Sequence, residues 1–187
     1  MENHIQEKLP QRKSPRATFH DYSGGLYFIT ICTKNKIQYF GKIINGEIQY
    51  STIGLKAKRD FETLPNKLQY CDIPLFVVMP NHIHAIIHIF DVHHLQTYER
   101  QTISEEAITS LPEPDTPRCV PTSRSTLSVI VGSLKSGVTR FANQHSIPFA
   151  WQSRYHDHII RNQCEANTIS EYIQHNVIHW EQDCFFK

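Results

Sequence analysis

His82 and His84 are the residues whose type and spacing point most directly to chemistry. They flank Ile83 inside the apolar run VVMPNHIHAIIHIF, residues 77–90. On a strand, alternate side chains share a face, so His82, His84, Ile86, His88 and Phe90 project to one side. Ile83, Ala85, Ile87 and Ile89 project to the other. Two imidazoles about 7 Å apart along a strand can converge on one ion, whereas His88, about 13 Å from His84, cannot join them. By itself the pair is weak evidence for a metal site, and chance or two hydrogen-bonded core histidines explain it more readily. Two imidazoles also do not close a metal site, and no nearby His/Cys/Asp/Glu cluster has zinc spacing.

A second pair of groups lies near the far end of the chain. SEYIQHN, residues 170–176, places Tyr172 and Asn176 at i and i+4, stacked on one face of a helix. A hydroxyl beside an amide oxygen on a rigid helix is what a nucleophile and a third metal ligand require. An ion there would polarise a phosphate while the phenolate attacks it. The competing reading makes Tyr172 a half-buried aromatic and Asn176 a solvated polar residue, and on spacing alone it is the stronger.

These groups must be held by a scaffold. GLYFITICT (25–33) follows a Gly-Gly turn and is rich in β-branched and aromatic residues, so it is expected as a buried strand. QYFGKII and NGEIQY predict a short hairpin. Ser51 or Thr52 can cap a helix whose Ile53, Ala57, Phe61 and Leu64 form one stripe. IPLFVVM (73–79) predicts a second strand, Pro80-Asn81 a turn, and residues 82–90 the returning strand. Ser125 is a candidate cap for a helix carrying Leu127, Ile130, Val131, Leu134, Val138 and Phe141. FAWQSRYHDHII (149–160) reads as the last strand, and a C-terminal helix from about residue 165 carries Ile169, Ile173, Val177 and Trp180. The order β-α-β-β-α-β-α predicts an α+β, ferredoxin-like split βαβ sandwich: one antiparallel sheet with helices on one face, plus a C-terminal helix.

The chain has 187 residues, enough for one domain with a sizeable core. Residues 1–20 read as a flexible basic arm and 21–187 as a single domain. A surface insertion is expected at about 91–124, where four prolines fall among polar residues without a clean period. No apolar run approaches the roughly 20 residues that span a bilayer, and the start lacks a signal peptide. A cytoplasmic location without membrane attachment is therefore expected. Five scattered cysteines with no CxxC read as reduced thiols. The net charge is only +1, yet residues 91–117 hold six acids and one base, leaving +6 on the remainder. A moderately basic body is compatible with phosphate binding and equally with an ordinary solvated surface.

Taken together, FVVMPNHIHAII, WQSRYHDHIIRN and EYIQHNV resemble, in order and spacing, the single-tyrosine HUH transposases of bacterial insertion sequences. Within these, the resemblance is to the REP-associated tyrosine transposase branch. It is strongest at Met79-Pro80-Asn81-His82-Ile83-His84, followed by Trp151-Gln152, Asp157-His158 and Ile160-Arg161. RATFHDYSGGLYFITICT and the helix containing Lys135 are similar to the family's opening strand and second helix. The likeness covers nearly the whole chain except the arm and the insertion.

The resemblance implies that His82, His84 and Asn176 bind a divalent metal ion, Mg²⁺ or Mn²⁺, and that Tyr172 is the nucleophile. It implies a DNA transposase that nicks single-stranded DNA at hairpin-containing ends, keeps a 5′-phosphotyrosine link, releases a 3′-OH and rejoins strands, often as a homodimer. Lys135, Arg140, Arg154 and Arg161 are candidate phosphate contacts, and Trp151 and Tyr155 candidate stacking platforms for unpaired bases. Burial in the core is the competing role for Trp151, and simple solvation for the cations.

This chain departs from the family where Asn176 is followed by Val177 rather than proline. The C-terminal helix is therefore expected to run on through VIHWEQD. His175 is a competing ligand about 100° around the helix, and Tyr155 a competing nucleophile without an amide four residues on. Two other functions remain open: a replication-initiator or relaxase-like nickase, and a non-catalytic ferredoxin-like nucleic-acid-binding module.

Overall fold

The computed structural model describes residues 24–90 and 125–186. The expected N-terminal arm and the whole of the expected insertion lie outside the described residues. The chain forms β1 (Gly25–Cys32), β2 (Gly41–Ile44), β3 (Glu47–Tyr50), α1 (Thr52–Lys67), β4 (Cys71–Val78), β5 (His82–Ile89), α2 (Thr126–Gln144), β6 (His156–Ile160) and α3 (Gln163–His175).

β1 is central because its alternate residues Tyr27, Ile29 and Ile31 are fully buried and need cover on one whole face. It pairs antiparallel with β5 on one side and β6 on the other, and β4 completes the order β4-β5-β1-β6. This is the antiparallel split βαβ arrangement expected of a ferredoxin-like sheet. β4 shifts register between Asp72 and Leu75, a stretch that contains Pro74, which has no N–H to give the ladder. β2 and β3 form a separate hairpin closed at Asn45-Gly46, both with positive φ (55° and 76°).

α1 begins where Ser51 Oγ accepts from Gly54 N at 3.1 Å. Its Ile53, Ala57, Phe61 and Leu64 pack with Leu127, Ile130, Val131, Leu134 and Val138 of α2. Both helices cover the sheet face formed by Tyr27, Ile29, Ile31, Ile83, Ala85, Ile87 and Ile89. Truncating a fully buried residue such as Ile83 to alanine would cost about 2–5 kcal/mol. α3 lies on the opposite face, where Ile173 meets Ile86 and Ile160, flanked by Leu26, Phe28 and Ile169. The odd–even alternation of β5 thus sends Ile83, Ala85, Ile87 and Ile89 to the main core and His82, His84 and Ile86 towards α3.

Three local expectations are corrected. The last strand covers only His156–Ile160. Upstream, Trp151 makes a single bridge with Thr33, and the polar run Gln152-Ser153-Arg154 leaves the sheet. Ser125 makes no side-chain cap, because its Oγ pairs with Ser128 Oγ at 2.8 Å instead. The C-terminal helix does not run through VIHWEQD: α3 ends at His175, turns follow, and Trp180–Gln182 form one 3₁₀ turn. Trp180, 5% exposed, is buried with its ring 6.0 Å from that of His82, and this apolar burial favours the turn. Among the described residues no helix is long and apolar enough to cross a membrane.

Candidate active site

The turn Pro80-Asn81 delivers β5 with His82 and His84 already on one face, and both rings are buried (0% and 2% exposed). Their centroids are 4.5 Å apart, closer than the strand repeat, so the rings lean together. His82 Nδ1 bonds with Asn81 Oδ1 at 2.9 Å, and His84 Nδ1 with Thr30 Oγ1 at 2.9 Å. Both Nδ1 atoms are thereby occupied, which leaves the Nε2 atoms for the interior of the site.

From α3, Tyr172 Oη reaches His84 Nε2 at 3.2 Å, although 45% of the residue is exposed. Phe28 holds this contact from the sheet, with its ring stacked on His84 at 5.2 Å and edge-on to Tyr172 at 6.3 Å. Asn176 is 3% exposed as the residue that ends α3. Because the chain turns back after α3, it brings in a group that the sequence reading missed. Asp183 Oδ2 accepts from Asn176 Nδ2 at 3.1 Å and lies 4.0 Å from His82 Nε2. Asp183 Oδ1 accepts from Phe185 N at 2.7 Å. No periodicity marks a carboxylate seven residues beyond Asn176, since its position depends on a turn. Phe185 then closes the site, its ring 4.4 Å from that of His82.

Burial sets the electrostatics. It pushes the His82 imidazole down to about 2, helped by neighbouring His84 and Lys36. It pushes His84 down to about 4, against the pull of Asp183. Both rings are therefore neutral at physiological pH and keep a lone pair. Burial and then the Asp183 carboxylate push the Tyr172 phenol up to about 12. The Asn176 amide is near enough to His82 and Tyr172 to offset part of these effects, without a hydrogen bond from its Oδ1.

Two buried polar atoms have no hydrogen-bond partner among the described residues: His82 Nε2 and Asn176 Oδ1. Both are lone-pair donors of the kind a divalent cation takes. Ligand atoms of His82, His84 and Asp183 lie within 4.8 Å of one another. This donor set fits a divalent cation. Tyr172, Asn176 and Asp183 also line a groove of about 570 Å³ with Thr168, His179 and Cys184, open to solvent alongside α3.

The other candidate residues are spread out. His175 is exposed, and its Nδ1 is 2.8 Å from Glu171 O. Tyr155 packs at the edge of the main core with its Oη 3.3 Å from Ser128 Oγ. Trp151 also packs there and donates from Nε1 to Lys135 O at 3.0 Å. One edge of it lines a pocket with Lys34 and Lys36. Lys135 Nζ donates to Gln152 O at 2.7 Å. Arg140 lines a cleft between α1 and α2, across the sheet from the histidines. Arg154 and Arg161 are exposed, and the Arg161 backbone N–H donates to Glu165 Oε2 at 2.8 Å.

No family model matches the chain. Among solved structures, it is similar to a REP-associated tyrosine transposase bound to a REP hairpin. The TM-score is 0.52 at 18% identity, covering 84% of this chain and 68% of that one. At that identity the likeness is one of fold. Among curated proteins, an uncharacterized protein of Haemophilus influenzae is 39% identical over 178 residues, 94% of this chain and 93% of the relative. The chain belongs to the same protein family as that Haemophilus influenzae protein.

Proposed function

We propose that the protein is a metal-dependent tyrosine transposase that nicks and rejoins single-stranded DNA at hairpin-containing ends. The observation that carries this reading is the hydroxyl of Tyr172 at 3.2 Å from His84 Nε2, beside buried lone pairs on His82 and Asn176. The fold likeness to a transposase bound to a REP hairpin supports the choice of substrate class.

His82 and His84, with Asn176, Asp183 or both, would hold the cation, which supplies Lewis-acid charge at a phosphodiester oxygen when bound. Two imidazoles with amide or carboxylate oxygen suit Mn²⁺ as well as Mg²⁺. Tyr172 projects from the rigid frame of α3 towards the solvent-open groove, where an extended strand can approach. Its oxygen attacks phosphorus, forming the Oη–P bond as the P–O3′ bond breaks. The phenol gives up its proton, and the leaving 3′ oxygen takes one up. Tyr172 then carries the 5′-phosphate, and attack by a 3′-OH reverses the exchange. The bond energy stays in the phosphotyrosine, so joining needs no ATP. Arg154 and Arg161, exposed on either side of β6, are kept as candidate contacts for the DNA backbone. A homodimer remains part of the reading only through the family resemblance.

The test is incubation with single-stranded hairpin oligonucleotides and Mn²⁺, followed by a denaturing gel. A covalent adduct that chelator abolishes supports the reading. DNA binding with no adduct across such hairpins favours the non-catalytic module.

A further inference from the structure

The residue behind His82 has a bonding pattern that fixes a proton. Asn81 is fully buried. Its Nδ2 donates to Lys36 O at 3.1 Å and to Phe185 O at 2.8 Å, while its Oδ1 lies 2.9 Å from His82 Nδ1. One orientation of the amide satisfies all three contacts. Turning it over would set its oxygen against two carbonyl oxygens with no proton between them. Both protons of Nδ2 are thus used on carbonyls, and Oδ1 can only accept. The hydrogen in the Asn81–His82 bond must come from His82, so the ring carries it on Nδ1 and keeps its lone pair on Nε2.

The backbone makes the arrangement stiff. Asn81 O accepts from Thr33 N and from Thr33 Oγ1, both at 2.9 Å. The same residue therefore ties together the segment after β1, the β4–β5 turn and the C-terminal segment that carries Asp183. His84 has no equivalent, because the Thr30 hydroxyl can donate or accept and leaves that ring's tautomer open.

We propose that Asn81 is a positioning residue that holds His82 as its Nδ1–H tautomer with the Nε2 lone pair aimed into the site, and that divalent-cation affinity depends on it. The second half rests on the metal-site reading above, and the first half does not. Partners that orient a ligating imidazole typically matter 10–100-fold in metal affinity.

The test uses the full chain with ¹⁵N-labelled histidine, free of metal and near neutral pH. Long-range proton–nitrogen correlation spectra assign the His82 tautomer, and Mn²⁺ titration gives affinity. Wild type is expected to show Nδ1–H. Asn81→Ala is expected to show a mixture of tautomers and roughly 10–100-fold weaker Mn²⁺ binding. Asn81→Asp, which keeps an acceptor towards the ring, is expected to retain Nδ1–H. A wild-type His82 protonated on Nε2 overturns the proposal without any variant, so loss of folding in Asn81→Ala does not shield it. An Asn81→Ala protein with wild-type tautomer and affinity also overturns it. Wild type with Nδ1–H and no Mn²⁺ binding supports the tautomer assignment and overturns the metal reading, so the two failures are distinguishable.

Discussion

Tyr172 Oη and His84 Nε2 lie 3.2 Å apart although 88 positions separate the residues in sequence. The contact joins the helix on one side of the sheet to β5, one of its two inner strands. It also sets the first prediction. Tyr172→Phe removes only the hydroxyl of a side chain that is 45% exposed, so stability should change by about 1 kcal/mol or less. Mn²⁺ binding should survive in calorimetry while covalent capture of DNA disappears. A Tyr172→Phe protein that unfolds or no longer binds the ion would make the hydroxyl structural.

The histidines and Asp183 should separate by role. His82→Ala and His84→Ala should each weaken Mn²⁺ binding by more than about 100-fold, beyond the usual effect of an outer-shell partner. Asp183→Asn keeps the shape but removes the charge, and should weaken binding by about 10-fold or more. It should also bring the Tyr172 phenol down, because that carboxylate is among the causes that raise it. An unchanged Kd in titration calorimetry would confine Asp183 to holding Asn176 and Phe185.

How much of this was legible in the sequence depends on how local each feature is. The stripe Ile53, Ala57, Phe61 and Leu64 and the alternation of β5 specify their own faces, so α1 and the histidine pair were readable. The hairpin was written in Asn45-Gly46. Asp183 was not readable, because its place depends on α3 stopping at His175 and on Trp180 and Phe185 packing back. The strand expected at 149–160 was misjudged because Phe149 and Trp151 look like strand residues yet serve the edge of the core. Asn81 reads as a turn residue, and only its three side-chain hydrogen bonds reveal more.

Acid should destabilise the metal-free protein through the same two rings. In the unfolded chain a histidine takes its proton near pH 6.5. In the native state His84 resists until about 4 and His82 until about 2. The unfolded state then binds more protons, so stability present above about 6.5 is lost as pH falls towards these values. The slope is at most about 1.4 kcal/mol per pH unit for each ring. Urea midpoints measured in chelator between pH 7 and 4.5 should fall, and His84→Gln should flatten the curve. A wild type and variant of equal slope would contradict the burial argument.

The scaffold can be tested at Gly54. Alanine normally improves a helix interior, but a Cβ at Gly54 would fall inside the contact radius of Phe40 O. Gly54→Ala should therefore destabilise by at least about 1–3 kcal/mol, the usual cost of overpacking. Thermal melting with a raised midpoint would mean that α1 does not press on the segment before β2 as described.

The identity of the residue that holds the DNA decides whether Tyr172 is the nucleophile. Wild-type protein is reacted with single-stranded hairpin DNA and Mn²⁺, digested with nuclease and protease, and its peptides are sequenced by mass spectrometry. A nucleotide 5′-phosphate is expected on Tyr172, with no such peptide from Tyr172→Phe. A phosphotyrosine mapped to Tyr155, or an adduct undiminished in Tyr172→Phe, would contradict it.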